Sequence, residues 1–209
     1  MNRDASFYLD TRDLRKWVNE NLAGKSVLNC FAYTGSIGIA ALVGGASEVL
    51  QLDLSRTFLS MAKRSAELNG KEVDKSQYQI GDFWSRINQY KKSGKEFDCI
   101  ILDPPVYAKT QKGIIDIVNK YDKIINKVRP LIVNGGILIT INNALFQSGQ
   151  DHRDVLDRLC KDGYLSIEKM IDVPADCVGI QENINLNLPV NPFPYNHSTK
   201  ITIMRVKKK

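Results

Sequence analysis

The sequence predicts an α/β fold: a mainly parallel seven-stranded sheet with helices on both faces and an antiparallel last strand. Three observations predict it. Apolar runs of strand length alternate with helix-spaced segments through most of the 209 residues, which is the pattern of βαβ units. Those runs are almost continuous in Val, Ile and Leu, as strands covered on both faces are. The last two strand-like runs, "GYLSIEKMIDV" and "STKITIMRV", have no helix pattern between them, so they are expected to pair antiparallel.

Each element has its own signal. Leu14, Trp17, Val18 and Leu22 stand at helical spacing, with Asp10 or Thr11 to cap that helix and Gly24 to end it. "SVLNCFAY" reads as a buried strand and "TGSIGIAALVGG" as a turn opening a short helix. "SEVLQLDLS" is the second strand. Ser55 caps a helix running to Asn69-Gly70, with Phe58, Leu59, Ala62, Ala66 and Leu68 as expected buried positions. "SQYQIGD" is a short third strand, "FWSRINQYKKSG" a helix and "EFDCIILDPP" a fourth strand. Ile114, Ile117, Val118, Tyr121, Ile124, Ile125 and Val128 predict a helix from Gly113 to Arg129, stopped by Pro130. "GGILITINNA" is the fifth strand, and Asp151 to Lys161 a helix.

The chain is read as one domain over 1–209, with a helical lead-in over 1–24 and a long irregular proline-bearing loop over 173–197. Hydrophobic residues make up 43%, enough for one filled core. Lys and Arg number 29 against 23 Asp and Glu. That excess suits an anionic partner such as nucleic acid and equally suits an ordinary basic surface. The four cysteines form no CxxC pattern, so no metal site is expected. Met1 to Asp10 lacks an apolar core, and no apolar run is long enough for a membrane span. No membrane partner and a cytoplasmic location are therefore expected.

In an open α/β sheet, ligands bind beyond the carboxyl ends of the strands. After strand one comes Tyr33-Thr34-Gly35-Ser36-Ile37-Gly38, a GxxG loop and not the GxGxxG of dinucleotide proteins. After strand two comes Asp53, with Leu54, at an offset suited to ribose hydroxyls. Asp82 and Phe83 follow strand three. There the acid can accept from an adenine amino group or simply cap the next helix. After strand four, Asp103-Pro104-Pro105-Val106-Tyr107 joins an acid to a stiff segment whose carbonyls point in fixed directions. A strand terminator alone explains neither the acid nor the Tyr. Asn142-Asn143 follows strand five.

On these residues the chain resembles class I S-adenosylmethionine-dependent methyltransferases, with their Rossmann-like fold. It is most similar to the large-subunit ribosomal RNA base methyltransferases. The resemblance runs through "FYLDTRDLRKWV", "VLNCFAYTGSIGIAA", "VLQLDLSRTFLSMAKRSAELNG", "FDCIILDPPVYAK" and "PVNPFPYNHSTKITIMRV". It implies S-adenosylmethionine as cofactor and RNA as substrate. It also implies that Tyr33, Thr34, Gly35, Ser36 and Gly38 hold the methionine part, Asp53 with Leu54 the ribose, and Asp82 with Phe83 the adenine. Asp103, Pro104, Pro105, Tyr107 and Asn142 would face the methyl group and the target base. Asp10 and Arg12 would close the cofactor site.

Two departures from the family bear on function. Carbon-5 methylation of a pyrimidine needs a nucleophilic Cys, after strand four or after strand five in RNA enzymes of that chemistry. Here those places hold Pro104-Pro105 and Ile141-Asn142-Asn143-Ala144, and only Cys177 is left as a remote candidate. The Asn pair is closer to what guanine-N7-methylating relatives carry, so a base nitrogen is the expected target. Relatives also usually carry an RNA-binding module before the "FYLDTR" segment. RNA affinity is therefore expected from Lys91-Lys92, Lys109 to Lys112 and the C-terminal lysines. The alternatives are a carbon-5 enzyme, a non-catalytic RNA-binding protein and, more distantly, a dinucleotide oxidoreductase. His152 is read as a helix-surface residue and His197 as a loop organiser.

Overall fold

The computed structural model describes residues 7–178 and 190–208. Strands β1 (Ser26–Cys30), β2 (Glu48–Asp53), β3 (Tyr78–Ile80), β4 (Phe97–Leu102), β7 (Ile132–Asn142), β8 (Leu165–Ile171) and β9 (Lys200–Val206) form one sheet in the order β3-β2-β1-β4-β7-β9-β8. The first five in that order are parallel, and β9 runs antiparallel between β7 and β8. The expected antiparallel end of the sheet is present. Among the described residues no helix is long and apolar enough to cross a membrane.

Alternation along the strands builds two cores. Leu28, Ile100 and Leu138 face α4 (Phe83–Ser93), α5 (Tyr121–Val128) and α6 (Gly149–Cys160), and pack with Ile87, Tyr121, Ile124 and Leu156. Val27, Cys99, Ile101 and Ile139 face the other way, toward α1 (Arg12–Asn21) and α2 (Ser36–Val43), and pack with Leu14, Val18, Ile37 and Ala41. α3 (Arg56–Leu68) covers the β2–β3 end through Leu59 and Ala62. Ser55 caps α3 by accepting from Phe58 N, and Leu68, expected inside, is 71% exposed at its last turn.

The expected helix over Gly113–Arg129 is only half there. Tyr107–Thr110 (β5) and Gly113–Asp116 (β6) form an antiparallel hairpin, and α5 starts at Tyr121. Ile115 and Ile117, two apart, are the buried pair, as on a strand face. Asp116 then accepts from Asn119 N and turns the chain into α5. Part of the expected 173–197 loop is a short helix, α7 (Ala175–Val178), and residues 179–189 lie outside the described residues. His152 is fully buried, not on the surface. It shares a face of α6 with Leu156 and sits between the rings of Tyr121 and Tyr195.

Candidate active site

A cavity of about 420 Å³ opens at the carboxyl ends of β1, β2, β4 and β7, where the strand order reverses. Phe31, Ala32, Tyr33 and Ser36 line it from the β1 side, Asp53 and Leu54 from β2, and Asp103, Pro104 and Pro105 from β4. Ile141 and Asn143 line it from β7, while Tyr8, Asp10 and Thr11 cross it from the N-terminal side, next to Thr199.

The loop after β1 is held in an unusual backbone. Phe31 has φ +58° and Tyr33 φ +51°, a region that side chains with a Cβ rarely adopt. Such conformations persist where surrounding bonds impose them, and they cluster at functional sites. Here Asp53 imposes one: its carboxylate accepts from Tyr33 N and Ser55 N, both at 2.8 Å. Behind the loop, Asn29 Nδ2 donates to Gln51 Oε1 at 2.8 Å and Gln51 Nε2 donates to Gly35 O at 3.3 Å. Gly35, at φ +77°, leaves no room for a side chain, since a Cβ would lie 2.6 Å from that of Ala62. Gly38 lies flush on Gln51. These two glycines shape the pocket and do not line it, and Thr34 faces a neighbouring outer groove.

Asp103 stands at the far wall on buried Pro104. Burial, with the nearby charge of Asp10 adding to it, pushes Asp103 up to about 7. Asp10 Oδ2 accepts from Thr199 Oγ1. Its other oxygen, Oδ1, is buried without a partner among the described residues. A cavity edged by three carboxylates, one with an unsatisfied oxygen, is suited to a cation carrying N–H donors.

A narrower cleft adjoins it and shares Phe31, Asp53, Leu54 and Pro105. Asp82 and Phe83 lie on its wall. Asp82 also caps α4 by accepting from Ser85 N at 3.0 Å, the capping role that the sequence allowed. Phe83 is buried and stacked on Phe31 with centroids 4.8 Å apart.

Three more expected residues, beyond Thr34, Gly35 and Gly38, are placed elsewhere. Asn142 is fully buried: it donates to Gln147 Oε1, contacts His152 Nδ1 and accepts from Ala144 N. Strand alternation puts Ile141 and Asn143 on the pocket face and turns Asn142 away from it. Tyr107 sits on the outer face of the β5–β6 hairpin, exposed and outside the cavity lining. Arg12 lies on the outer groove, in a bidentate pair with Asp176 of α7 at 2.9 and 2.5 Å. Phe31 and Thr199 are cavity residues that the sequence reading missed, and of the Asn142-Asn143 pair it is Asn143 that lines the cavity. Phe31 directly follows β1 and Thr199 directly precedes β9, which was the available signal. Ala108 and Thr110 of β5 line the adjoining cleft, while Lys109 and Lys112 are exposed on the same hairpin. Lys207 and Lys208 lie at the other end of the sheet, where Lys208 meets Glu96 and Asn134. His197 organises its loop, with Nδ1 accepting from Thr199 N.

The family model described as S-adenosylmethionine-dependent methyltransferase matches residues 1–159. The chain belongs to this family. A similar curated relative of this family member is "Ribosomal RNA large subunit methyltransferase I" of Aeromonas salmonicida, 42% identical over 134 residues, or 64% of this chain and 34% of the relative. Another is "Ribosomal RNA large subunit methyltransferase K" of Neisseria meningitidis serogroup B, 38% identical over 142 residues, or 67% of this chain and 40% of the relative. The chain thus spans between a third and two fifths of these relatives. Among solved structures, SMU.776, assigned as a methyltransferase and complexed with SAH, superimposes with TM-score 0.81 at 22% identity over 96% of this chain and 50% of that one. A SAM-dependent methyltransferase from Agrobacterium tumefaciens does so with TM-score 0.68 at 18% identity, over 99% of this chain and 64% of that one. These likenesses establish the methyltransferase fold.

The residues present suit the family's cofactor. S-adenosylmethionine carries an ammonium and a sulfonium, and the cavity offers Asp10, Asp53 and Asp103, including the unsatisfied Asp10 oxygen. Its flat adenine calls for an apolar slot, and the adjoining cleft supplies Phe31, Leu54 and Pro105 beside Asp82.

Proposed function

We propose that this chain catalyses direct methylation of a base nitrogen in large-subunit ribosomal RNA, without a covalent enzyme–RNA intermediate. The observation that carries this reading is the acceptor wall of the pocket. It consists of Asp103, Pro104, Pro105 and Asn143, and among the described residues no cysteine lines it. Cys30 and Cys99 are fully buried in strands, and burial raises both thiols far above their usual range. A carbon-5 enzyme needs a thiolate there; a ring nitrogen has its own lone pair and needs only alignment.

When bound, S-adenosylmethionine supplies an electrophilic methyl group. The chain's residues position and exclude. The Tyr33–Gly38 loop and Asp10 hold the amino-acid part, and Asp53 beside Leu54 holds the ribose. Asp82 and Phe83 bound the adenine. Asp103 and the Pro104-Pro105 carbonyls accept N–H groups of the target base, and Asn143 offers an amide from the β7 side. Asn142 works from behind by fixing the turn that follows Asn143. Arg12, through Asp176, ties the N-terminal strap to α7. The ribosomal substrate follows from the names of the relatives, and the basic balance of 29 cations to 23 acids agrees with it.

The test is methylation of ribosomal RNA with labelled S-adenosylmethionine, followed by nucleoside analysis. A labelled N-methylated base is expected. A 5-methylpyrimidine, or an adduct trapped with 5-fluoropyrimidine RNA, sinks this reading in favour of the carbon-5 enzyme.

A further inference from the structure

Among the described residues, Phe146 is the most exposed large hydrophobic side chain, at 82%. It does not sit on a loose loop. Ala144 and Gln147 on either side are buried, and Gln147 N donates to Ala144 O at 3.3 Å, closing a tight turn. Three more bonds fix the base of that turn. Asn142 accepts from Ala144 N at 3.0 Å and donates to Gln147 Oε1 at 2.9 Å, and the buried Lys200 Nζ donates to Ala144 O at 3.0 Å. The turn begins one residue after Asn143, which lines the cofactor cavity. A second exposed ring, Phe193, is fastened beside it. Gly149 N donates to Asn191 O at 3.0 Å, and the Pro192 and Phe193 carbonyls lie so close that no Cβ fits at Gly149.

This arrangement needs an explanation from outside the fold. Leu145 and Phe146 are exposed and add nothing to the core, yet a polar network fixes the turn that carries them, two and three residues after the cavity-lining Asn143. Rigid rings presented to solvent are the means by which proteins stack on unpaired bases, because little freedom is lost on contact. Extruding a target base also leaves a gap that apolar side chains fill as wedges. The β5–β6 hairpin adds the charge that an RNA strand requires: Ala108 and Thr110 line the adjoining cleft, while Tyr107 and Lys109 share the exposed face of β5 and Lys112 lies in the connecting turn.

We propose that the Ala144–Gln147 turn is an RNA-stacking wedge, with Phe146 packing on the nucleotide next to the methylated one. This rests on the RNA reading above and names the surface that carries it out. The test uses this chain and a fluorescent RNA stem–loop with 2-aminopurine in its loop. Phe146→Ala is expected to lower RNA affinity about tenfold with an unchanged salt slope, since stacking neutralises no phosphate. Phe146→Trp is expected to restore both affinity and the 2-aminopurine response. Calorimetric affinity for S-adenosylhomocysteine stays unchanged in both. Parent-like RNA binding by Phe146→Ala overturns the wedge and leaves the RNA reading standing. The same result together with an altered sedimentation coefficient would make the turn a protein contact instead. Absence of RNA binding by the parent overturns both.

Discussion

Thr199 Oγ1 donates to Asp10 Oδ2 at 2.7 Å, joining positions 189 residues apart. The bond ties the N-terminal strap to the start of β9 across the cavity mouth, and it leaves Asp10 Oδ1 buried without a partner among the described residues. Thr199→Val removes the donor and keeps the shape. We expect S-adenosylhomocysteine affinity to fall by roughly tenfold to a hundredfold, the worth of one hydrogen bond to a charged group. Asp10→Ala should cost more, because it also removes the free oxygen. Calorimetry on the three proteins checks the order.

Asp53 holds the strained Tyr33 loop by two charge-assisted bonds. Asp53→Ala loses both, each worth roughly 1.5–3 kcal/mol. Thermal stability should fall, and cofactor affinity should fall at least tenfold, with RNA affinity nearly unchanged. Equal loss of cofactor and RNA binding would argue against a ribose role.

Asp103 is raised to about 7 by burial and by Asp10. Below that pH it is mostly protonated, and it must lose a proton to face a cationic ligand as a carboxylate. Affinity for S-adenosylmethionine should therefore rise with pH through about 7, by at most roughly tenfold per unit below it, with proton release on binding. Titrations in buffers of different ionisation enthalpy measure that release. Asp103→Asn should bind more weakly, and without the pH slope.

His152 is buried, and that burial lowers it to about 3. Unfolded, a histidine takes up a proton near pH 6.5. The unfolded chain thus binds more protons between about 6.5 and 3, so stability falls as pH falls through that window, by up to roughly 1.4 kcal/mol per pH unit. Urea melts from neutral to acid pH should show this limb. His152→Leu should flatten it, at the cost of the contact with Asn142.

The sheet, its order of strands and helices and the strand-end acids were legible because each rests on local pattern: buried runs, caps and the residue that follows a strand. What the pattern left open was decided by packing. In the Asn142-Asn143 pair, a shift of one residue exchanges pocket for core, and composition cannot set that phase. Ile114 to Val118 fits a helix stripe as well as a strand face, and pairing with Tyr107–Thr110 chose the strand. His152 looked external because Asp151 and Arg153 flank it, whereas its own direction is that of Leu156. Arg12 and Asp176 are far apart in sequence and meet only through the folded strap.

The position of β9 has a consequence for how this domain assembles. β7 and β8 share no hydrogen bonds with each other; each is bonded to β9, which comes later in the chain than either. Until residues 200–206 arrive, β8 has no partner in the sheet and β7 keeps one side open, so that half of the sheet depends on long-range pairing, a slow event in folding. Thr199, which faces the cavity from the start of β9, takes its place only then. The parallel half can pair first, and the cavity wall is completed last.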